Sequence, residues 1–308
     1  MERILITPRS LTSSPAQAVD MLNQHGFEVV LSTPGKIPDE AELLKLVPNV
    51  VGWLAGVEPI SEKVIRAATN LKVISRNGSG VDNLPAKTVA ERGIVVRRAD
   101  GSNAQGVAEL TIALIFASLR HIPFSDAGLK AGGWIRKRGI EIRGRSIGVV
   151  GCGAIGREVA RLAASLGAQI LAFDPAQPDL GIDKLSYRWV DLPNLIAGAD
   201  IITLHCPPTR GGVPLVGLAE LKSMKAGSIL VNTARASLVD ELAIVQALEL
   251  GLLSTYATDV FPQEPPDSLH LYGRPDVIAT SHIGGFTDES VDRATTIAVN
   301  NLIQVLRP

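Results

Sequence analysis

The sequence predicts an α/β fold built from two doubly wound parallel-sheet domains. Three observations carry that expectation. Short apolar runs alternate with helix-period stretches along most of the 308 residues, the pattern of parallel strands joined by covering helices. One such unit, residues 146–175, contains a glycine turn of defined spacing. That unit begins near the middle of a chain whose length suits about two domains.

The elements follow in order. Residues 4–7, 28–31, 50–54, 72–75 and 94–96 are apolar runs that read as strands. Residues 16–24, 41–46, 62–68 and 85–91 lie between them and read as helices. The long apolar segment 104–119 reads as one buried helix with Asn103 as its N-cap. Further strands are expected at 201–204, 228–231, 257–260 and 277–279, with helices at 192–197, 218–223 and 239–250. Residues 288–306 read as a terminal amphipathic helix. One domain is expected to span residues 101–286. The other would combine residues 1–100 with 287–308, so the chain would cross between them twice. Hinges are expected near 99–101 and 284–287, with a ligand crevice between the domains.

Residues 146–175, SIGVVGCGAIGREVARLAASLGAQILAFDP, form a strand–turn–helix–strand unit. Gly151, Gly153 and Gly156 supply G-x-G-x-x-G. The first glycine permits the tight turn, the second lets backbone approach a pyrophosphate, and the third lets helix pack on strand. Ala154 and Ile155 open the helix, whose free N–H groups and partial positive charge suit phosphates. Asp174 ends the second strand, where a carboxylate accepts from ribose hydroxyls. It would repel a 2′-phosphate, and Pro175 leaves no adjacent base, so NAD is expected as the cofactor. The rival is a plain glycine-rich turn, which leaves Asp174 unexplained.

Composition narrows the function. Hydrophobic residues make up 46% and the net charge is −1, so neither nucleic acid nor an anionic membrane is an expected partner. Arg136, Lys137, Arg138, Arg143 and Arg145 lack interleaved aromatics and read as a solvated loop. Cys152 and Cys206 offer no disulfide framework and no metal-ligand spacing, so no metal is expected. MERILITP reads as a strand start rather than a signal peptide. No apolar run approaches the ~18 residues of a membrane span. A cytoplasmic enzyme is expected.

Three later motifs, VNTARASLVD (231–240), TDVFPQEPP (258–266) and TSHIGGFTDES (280–290), end strands on polar residues. Ligands of open α/β sheets bind beyond the carboxyl ends of strands, so Arg235, Glu264 and His282 are candidates to converge. With RNGSGVDNL (76–84), NAQGVAELTIALI (103–115) and LHCPPT (204–209), the chain resembles the D-isomer-specific 2-hydroxyacid dehydrogenase family. It looks closest to its phosphoglycerate dehydrogenase-like and hydroxypyruvate or glyoxylate reductase-like members.

The resemblance implies a Rossmann NAD domain inserted into a flavodoxin-like substrate domain. It implies NAD-dependent interconversion of a small D-2-hydroxy acid and its 2-keto acid, and a homodimer formed around 104–119 and the KAGGW segment with Trp134. Reduction needs a hydride donor, a proton donor and a grip on the carboxylate. NADH supplies the hydride. His282 suits the proton, its unperturbed pKa of ~6.5 allowing both directions. Glu264 would bond the other ring nitrogen. Arg235 offers a planar fork to the carboxylate and polarises the carbonyl. By resemblance, Asn77, Gly78, Ser79 and Gly80 would bind the substrate, the backbone N–H groups of Gly78, Ser79 and Gly80 holding its carboxylate. Asp259 would lie near the nicotinamide, and His205, Cys206, Pro207, Thr233, Ala234 and Gly284 would line the cofactor. For His205, packing and cofactor contact are equal readings.

Departures from the family pattern are informative. Ala236 stands where the family usually has Gly, so the loop is expected to keep φ negative. Ser281 stands where Pro usually precedes the catalytic histidine. After the third strand the chain reads Leu54-Ala55-Gly56-Val57-Glu58, without the basic residues that hold a distal phosphate in phosphoglycerate dehydrogenases. Glu58 would repel one if it pointed inward, Arg76 is the nearest alternative base, and 3-phosphoglycerate is not the expected substrate. No regulatory domain is expected after the terminal helix. Two other functions compete. One is an NAD(H)-sensing binding protein like the C-terminal-binding protein corepressors. The other is a formate dehydrogenase, which pairs the catalytic histidine with Gln, and Glu264 argues against it.

Overall fold

A computed structural model describes residues 1–14, 17–267 and 269–307. The chain divides into two compact units, Met1–Asn103 with Thr287–Pro308, and Ala104–Phe286.

The first unit begins β1 (Glu2–Ile6), α1 (Arg9–Ser13), α2 (Gln17–Gln24), β2 (Phe27–Leu31) and α3 (Glu40–Leu46). It continues β3 (Val50–Ala55), α4 (Glu62–Ala67), β4 (Val73–Arg76), α5 (Ala86–Glu91) and β5 (Val95–Arg98). The strands pair in parallel in the order β2-β1-β3-β4-β5. Covering helices bury the middle strands on both faces. Hence β4 is buried throughout and β3 nearly so. Caps set two helix starts: the Asp39 carboxylate accepts from Glu42 N at 2.8 Å and Ser61 Oγ from Val64 N at 3.3 Å.

The second unit carries α6 (Ala104–Leu119), α7 (Ile122–Lys130), β6 (Ser146–Val150), α8 (Ala154–Ser165), β7 (Gln169–Phe173), β8 (Tyr187–Trp189), α9 (Leu192–Gly198) and β9 (Ile201–Leu204). It ends with α10 (Leu218–Ser223), β10 (Ser228–Asn232), α11 (Glu241–Glu249), β11 (Leu253–Thr258), α12 (Leu269–Tyr272) and β12 (Val277–Ala279). All pairs are parallel, in the order β12-β11-β10-β9-β6-β7-β8. The order reverses between β6 and β9, which opens a crevice at the carboxyl ends of those strands. One core layer gathers Ile115, Ile147, Val159 and Ile170, the opposite one Ile202, Leu230, Ile244 and Leu253. The chain then returns to the first unit as α13 (Asp288–Leu306). Its Leu302 and Leu306 lie over Gly52, where a Cβ would stand 3.1 Å from Leu306 Cδ1.

Several boundaries differ from the sequence reading. The strand expected at 257–260 runs Leu253–Thr258, because Leu253, Thr255 and Tyr256 pair with β10, with a register shift that passes over Ser254. The helix expected from 239 starts at Glu241, because Asp240 caps it and Val239 bridges Val216. Elements α1, α7, β8 and α12 lack a readable period. Three of them are five residues or shorter, and α7 buries no side chain. The expected start of α2 at Ala16 lies outside the described residues. Among the described residues no single helix is long and apolar enough to cross a membrane, and no cluster of His, Cys, Asp or Glu could hold a metal.

Candidate active site

The glycine turn sits at the switch point, between β6 and α8. Gly151 has φ +88°, and a Cβ there would lie 2.7 Å from Cys206 N. A Cβ on Gly156 would lie 1.9 Å from Gly151 O, so α8 can close on β6 only through a glycine. At Gly153 nothing lies within 4 Å, which leaves open space beside the N-terminus of α8. Gly153 caps α8 without a side chain, so the N–H groups of Ala154, Ile155 and Gly156 await an external acceptor.

Asp174 is oriented by backbone: Oδ2 accepts from Cys152 N and Oδ1 from Ala176 N, both at 2.8 Å. Each oxygen keeps a second lone pair, so ribose hydroxyls can still donate to it. The open Gly153 cradle, the helix start and this carboxylate fit a dinucleotide with an unphosphorylated ribose. The Cys152 thiol is buried and pushed up to about 12 by burial and by the Asp174 charge. It is a packing residue, not a nucleophile.

His205 and Cys206 follow β9 against the turn, and Pro207 is exposed beside them. His205 Nε2 is 2.9 Å from Thr203 Oγ1, and its buried Nδ1 has no protein partner. Burial pushes this ring down to about 3, so it stays neutral. At the end of β10, Thr233 Oγ1 is 3.0 Å from Thr111 Oγ1, and Ala234 N donates to Asn232 Oδ1. Asn232 Nδ2 donates to the Arg235 carbonyl at 2.9 Å, and Arg235 Nη1 to Ala234 O at 2.8 Å. These bonds fold the turn back on itself and hold the half-buried Arg235 at the strand end. Ala236 opens a 3₁₀ turn without positive φ.

Glu264 and His282 meet. His282 Nδ1 lies 2.8 Å from both Oε1 and Oε2 of Glu264, and Phe261 N donates to Glu264 Oε1 at 3.3 Å. Nδ1 therefore donates to the carboxylate, and Nε2 takes no part in that contact. Both side chains are about half exposed. His282 has φ +55°, an uncommon conformation for a side-chain-bearing residue.

Asp259 accounts for that conformation, and sequence reasoning assigned it differently. Its carboxylate is 2% exposed. Oδ1 accepts from Thr280 Oγ1 at 2.6 Å and Ile283 N at 2.9 Å, and Oδ2 from Gly284 N at 2.8 Å. The residues flanking His282 are thus clamped to one anion. Gly284, expected to line the cofactor, has its N–H committed to Asp259, and a Cβ there would stand 3.0 Å from Asp259 Oδ2. Its small size serves this packing. The signal readable in the sequence was an Asp just after an apolar strand, with no basic residue adjacent.

In the first unit, Asn77–Gly80 follow β4. Asn77 N donates to Ala55 O at 2.9 Å, and its side-chain Oδ1 is buried without a partner. Glu58 does not face solvent as a repelling charge. It is 1% exposed and its Oε1 accepts from Gly56 N at 3.0 Å and from the Thr7 hydroxyl. Burial pushes its carboxyl above the usual range. Arg76 is also turned inward, 6% exposed.

Comparison with known proteins follows the same lines. Residues 112–284 match the family model described as D-isomer specific 2-hydroxyacid dehydrogenase, NAD binding domain. The chain is 36% identical over 295 residues to a D-3-phosphoglycerate dehydrogenase of Archaeoglobus fulgidus, covering 94% of this chain and 55% of that one. It is 36% identical over 274 residues to a hydroxypyruvate reductase of Thermotoga maritima, covering 87% and 89%. The NAD-dependent formate dehydrogenase of Staphylococcus aureus in complex with NAD superposes with a TM-score of 0.87 at 27% identity, covering 100% of this chain and 96% of that one. The chain spans about half the length of the phosphoglycerate dehydrogenases it matches.

Proposed function

The chain belongs to the D-isomer-specific 2-hydroxyacid dehydrogenase family, and from that premise we propose that it interconverts a small D-2-hydroxy acid and its 2-keto acid with NAD(H). The observation that carries this reading is the Glu264 carboxylate on His282 Nδ1. A carboxylate there leaves Nε2 free to give a proton to a keto oxygen and to take it back. A hydride transfer that moved no proton would not need it.

Gly151, Gly153, Ala154, Ile155, Gly156 and Asp174 would hold NAD, which supplies the hydride when bound. His205, Cys206, Pro207, Thr233 and Ala234 would line it. Arg235 would pair with the substrate carboxylate and draw charge toward the carbonyl oxygen. Glu264 would hold the tautomer and stabilise the charged ring. The loop of Asn77, Gly78, Ser79 and Gly80 would receive the carboxylate through its backbone N–H groups, that of Asn77 being held by Ala55 O. Ala55, Gly56 and Val57 carry no charge, and Glu58 is buried. These residues favour an unphosphorylated acid such as glyoxylate or hydroxypyruvate over 3-phosphohydroxypyruvate.

We place the protein in the cytoplasm as a homodimer. Support for the dimer is an apolar surface on α7 and the following loop, where Leu129, Trp134 and Ile135 are 61%, 83% and 57% exposed. Helix α6, the expected contact, is instead largely buried in its own unit. Two free cysteines suit a reducing compartment.

A panel of 2-keto acids with NADH tests the reading, with His282→Ala as control. The expected loss of turnover is ~10²–10⁴-fold with NADH still bound. Full turnover by that variant, or none by the wild type on any keto acid, sinks it.

A further inference from the structure

The loop Gly78–Val81 is ordered by its carbonyls rather than by its N–H groups. Gly78 O accepts from Ala99 N at 3.0 Å. Gly80 O accepts from Arg76 Nε at 2.8 Å. Both partners are buried, Ala99 at 0% and Arg76 at 6% exposure. A trans peptide points the carbonyl of one residue and the N–H of the next in opposite directions. The N–H groups of Ser79 and Val81 are therefore directed away from the buried partners. Among the described residues, no backbone bond is donated by Gly78, Ser79, Gly80 or Val81. Unpaired donors held at fixed angles form a site for an anion.

Arg76 is itself locked. Its Nη1 donates to Ala55 O at 2.9 Å, and Ala55 O also accepts from Asn77 N at 2.9 Å. The guanidinium thus ties the end of β3 to the loop after β4. Asn83 makes the second tie, its Nδ2 donating to Glu58 O at 2.6 Å and to Gly56 O at 3.3 Å. A planar fork can hold two carbonyls at a fixed angle, and an ammonium cannot.

We propose that Arg76 is a positioning residue for the substrate carboxylate, acting through the Gly80 carbonyl to aim the Ser79 and Val81 N–H groups, and not a base that touches the substrate. The proposal rests on the reading that this loop receives the carboxylate. It assigns the donors to Ser79 and Val81, where the sequence pointed to Gly78, Ser79 and Gly80. Because the guanidinium acts on backbone, its effect is the same whatever the substrate carries beyond the keto group.

The test uses oxamate, an unreactive keto-acid mimic, on the NADH-saturated protein. In wild type, amide NMR is expected to show oxamate protecting Ser79 and Val81 and sparing Gly80. Arg76→Gln is expected to raise the oxamate Kd and the KM of every keto acid about tenfold, with kcat and NADH affinity within about twofold. Arg76→Lys, which can reach only one carbonyl, is expected to recover part of that loss. Losses confined to 3-phosphohydroxypyruvate would make Arg76 a direct phosphate contact and overturn the proposal. So would protection at other amides, unchanged oxamate affinity in Arg76→Gln, or loss of NADH binding alongside. Oxamate binding with the expected protection but no turnover of any keto acid would refute the proposed activity while this inference stands.

Discussion

Replacing Asp259 with Asn probes the clamp on the His282 segment. The substitution is nearly isosteric, but one carboxylate oxygen becomes an NH₂ donor. Oδ1 serves Thr280 Oγ1 and Ile283 N, and Oδ2 serves Gly284 N. Whichever way the amide turns, an N–H faces the new donor in a site 2% exposed. Hydrogen bonds to charged groups contribute about 1.5–3 kcal/mol, and a buried unsatisfied donor costs about 1–3. The combined loss is about 2–4 kcal/mol, since the remaining bonds are weakened as well as one removed. For a unit of this size that lowers Tm by roughly 5–10 °C. The same clamp holds His282 at φ +55°, a conformation that costs of order 1 kcal/mol and persists only when its surroundings impose it. Freed from the clamp, the backbone relaxes toward negative φ and Nε2 moves off its line. A displacement of about 1 Å at a reacting group costs roughly 10²-fold in turnover. The assay pairs scanning calorimetry with NADH-coupled turnover, and NADH affinity serves as a check on the rest of the unit. Wild-type melting and turnover in Asp259→Asn would refute the claim that this carboxylate holds the histidine in place.

Two further outcomes follow from the same geometry. Gly156→Ala puts a Cβ at 1.9 Å from Gly151 O, so α8 must move off the turn. NADH affinity is expected to fall about 10- to 100-fold, an overpacking cost of ~1–3 kcal/mol, and a fluorescence titration with wild-type Kd would exclude it. Glu58→Gln tests the buried carboxyl. Its folded pKa is raised by burial, above the ~4.3 of an unfolded glutamate. Its contribution is present below that pH and is lost as pH rises through the folded value. The glutamine keeps an acceptor for Gly56 N and the Thr7 hydroxyl but carries no charge. The urea midpoint of the variant should therefore gain on wild type between pH 4.5 and pH 8. Parallel midpoints across that window would show that the carboxyl is not strained by burial.

The cofactor site was legible because its physics is local. A tight turn, a close approach of helix to strand and an acidic strand end each demand a residue type at a fixed spacing, and Gly151, Gly156 and Asp174 meet those demands within one unit. Arg235, Glu264 and His282 were legible as polar residues closing apolar strands. The pairing of Glu264 with His282 was expected from the family resemblance and is met in the structure, while spacing alone, 18 positions apart in the chain, does not say which oxygen meets which nitrogen. Asp259 and Arg76 show the limit from the other side. Nothing local in the sequence says that the Asp259 carboxylate bonds the Ile283 and Gly284 N–H groups or that the Arg76 guanidinium bonds the Ala55 and Gly80 carbonyls.

The alternation of apolar runs and helical stretches determined the two parallel sheets, because burial on both faces leaves a strand no other composition. Spacing determined the glycine turn, because φ > 0 and backbone contact exclude a Cβ. Only the tertiary structure decided which charges reach solvent and which serve the backbone. A buried carboxylate or guanidinium must find its hydrogen bonds wherever the packed chain leaves backbone groups unpaired, and that depends on neighbours distant in sequence.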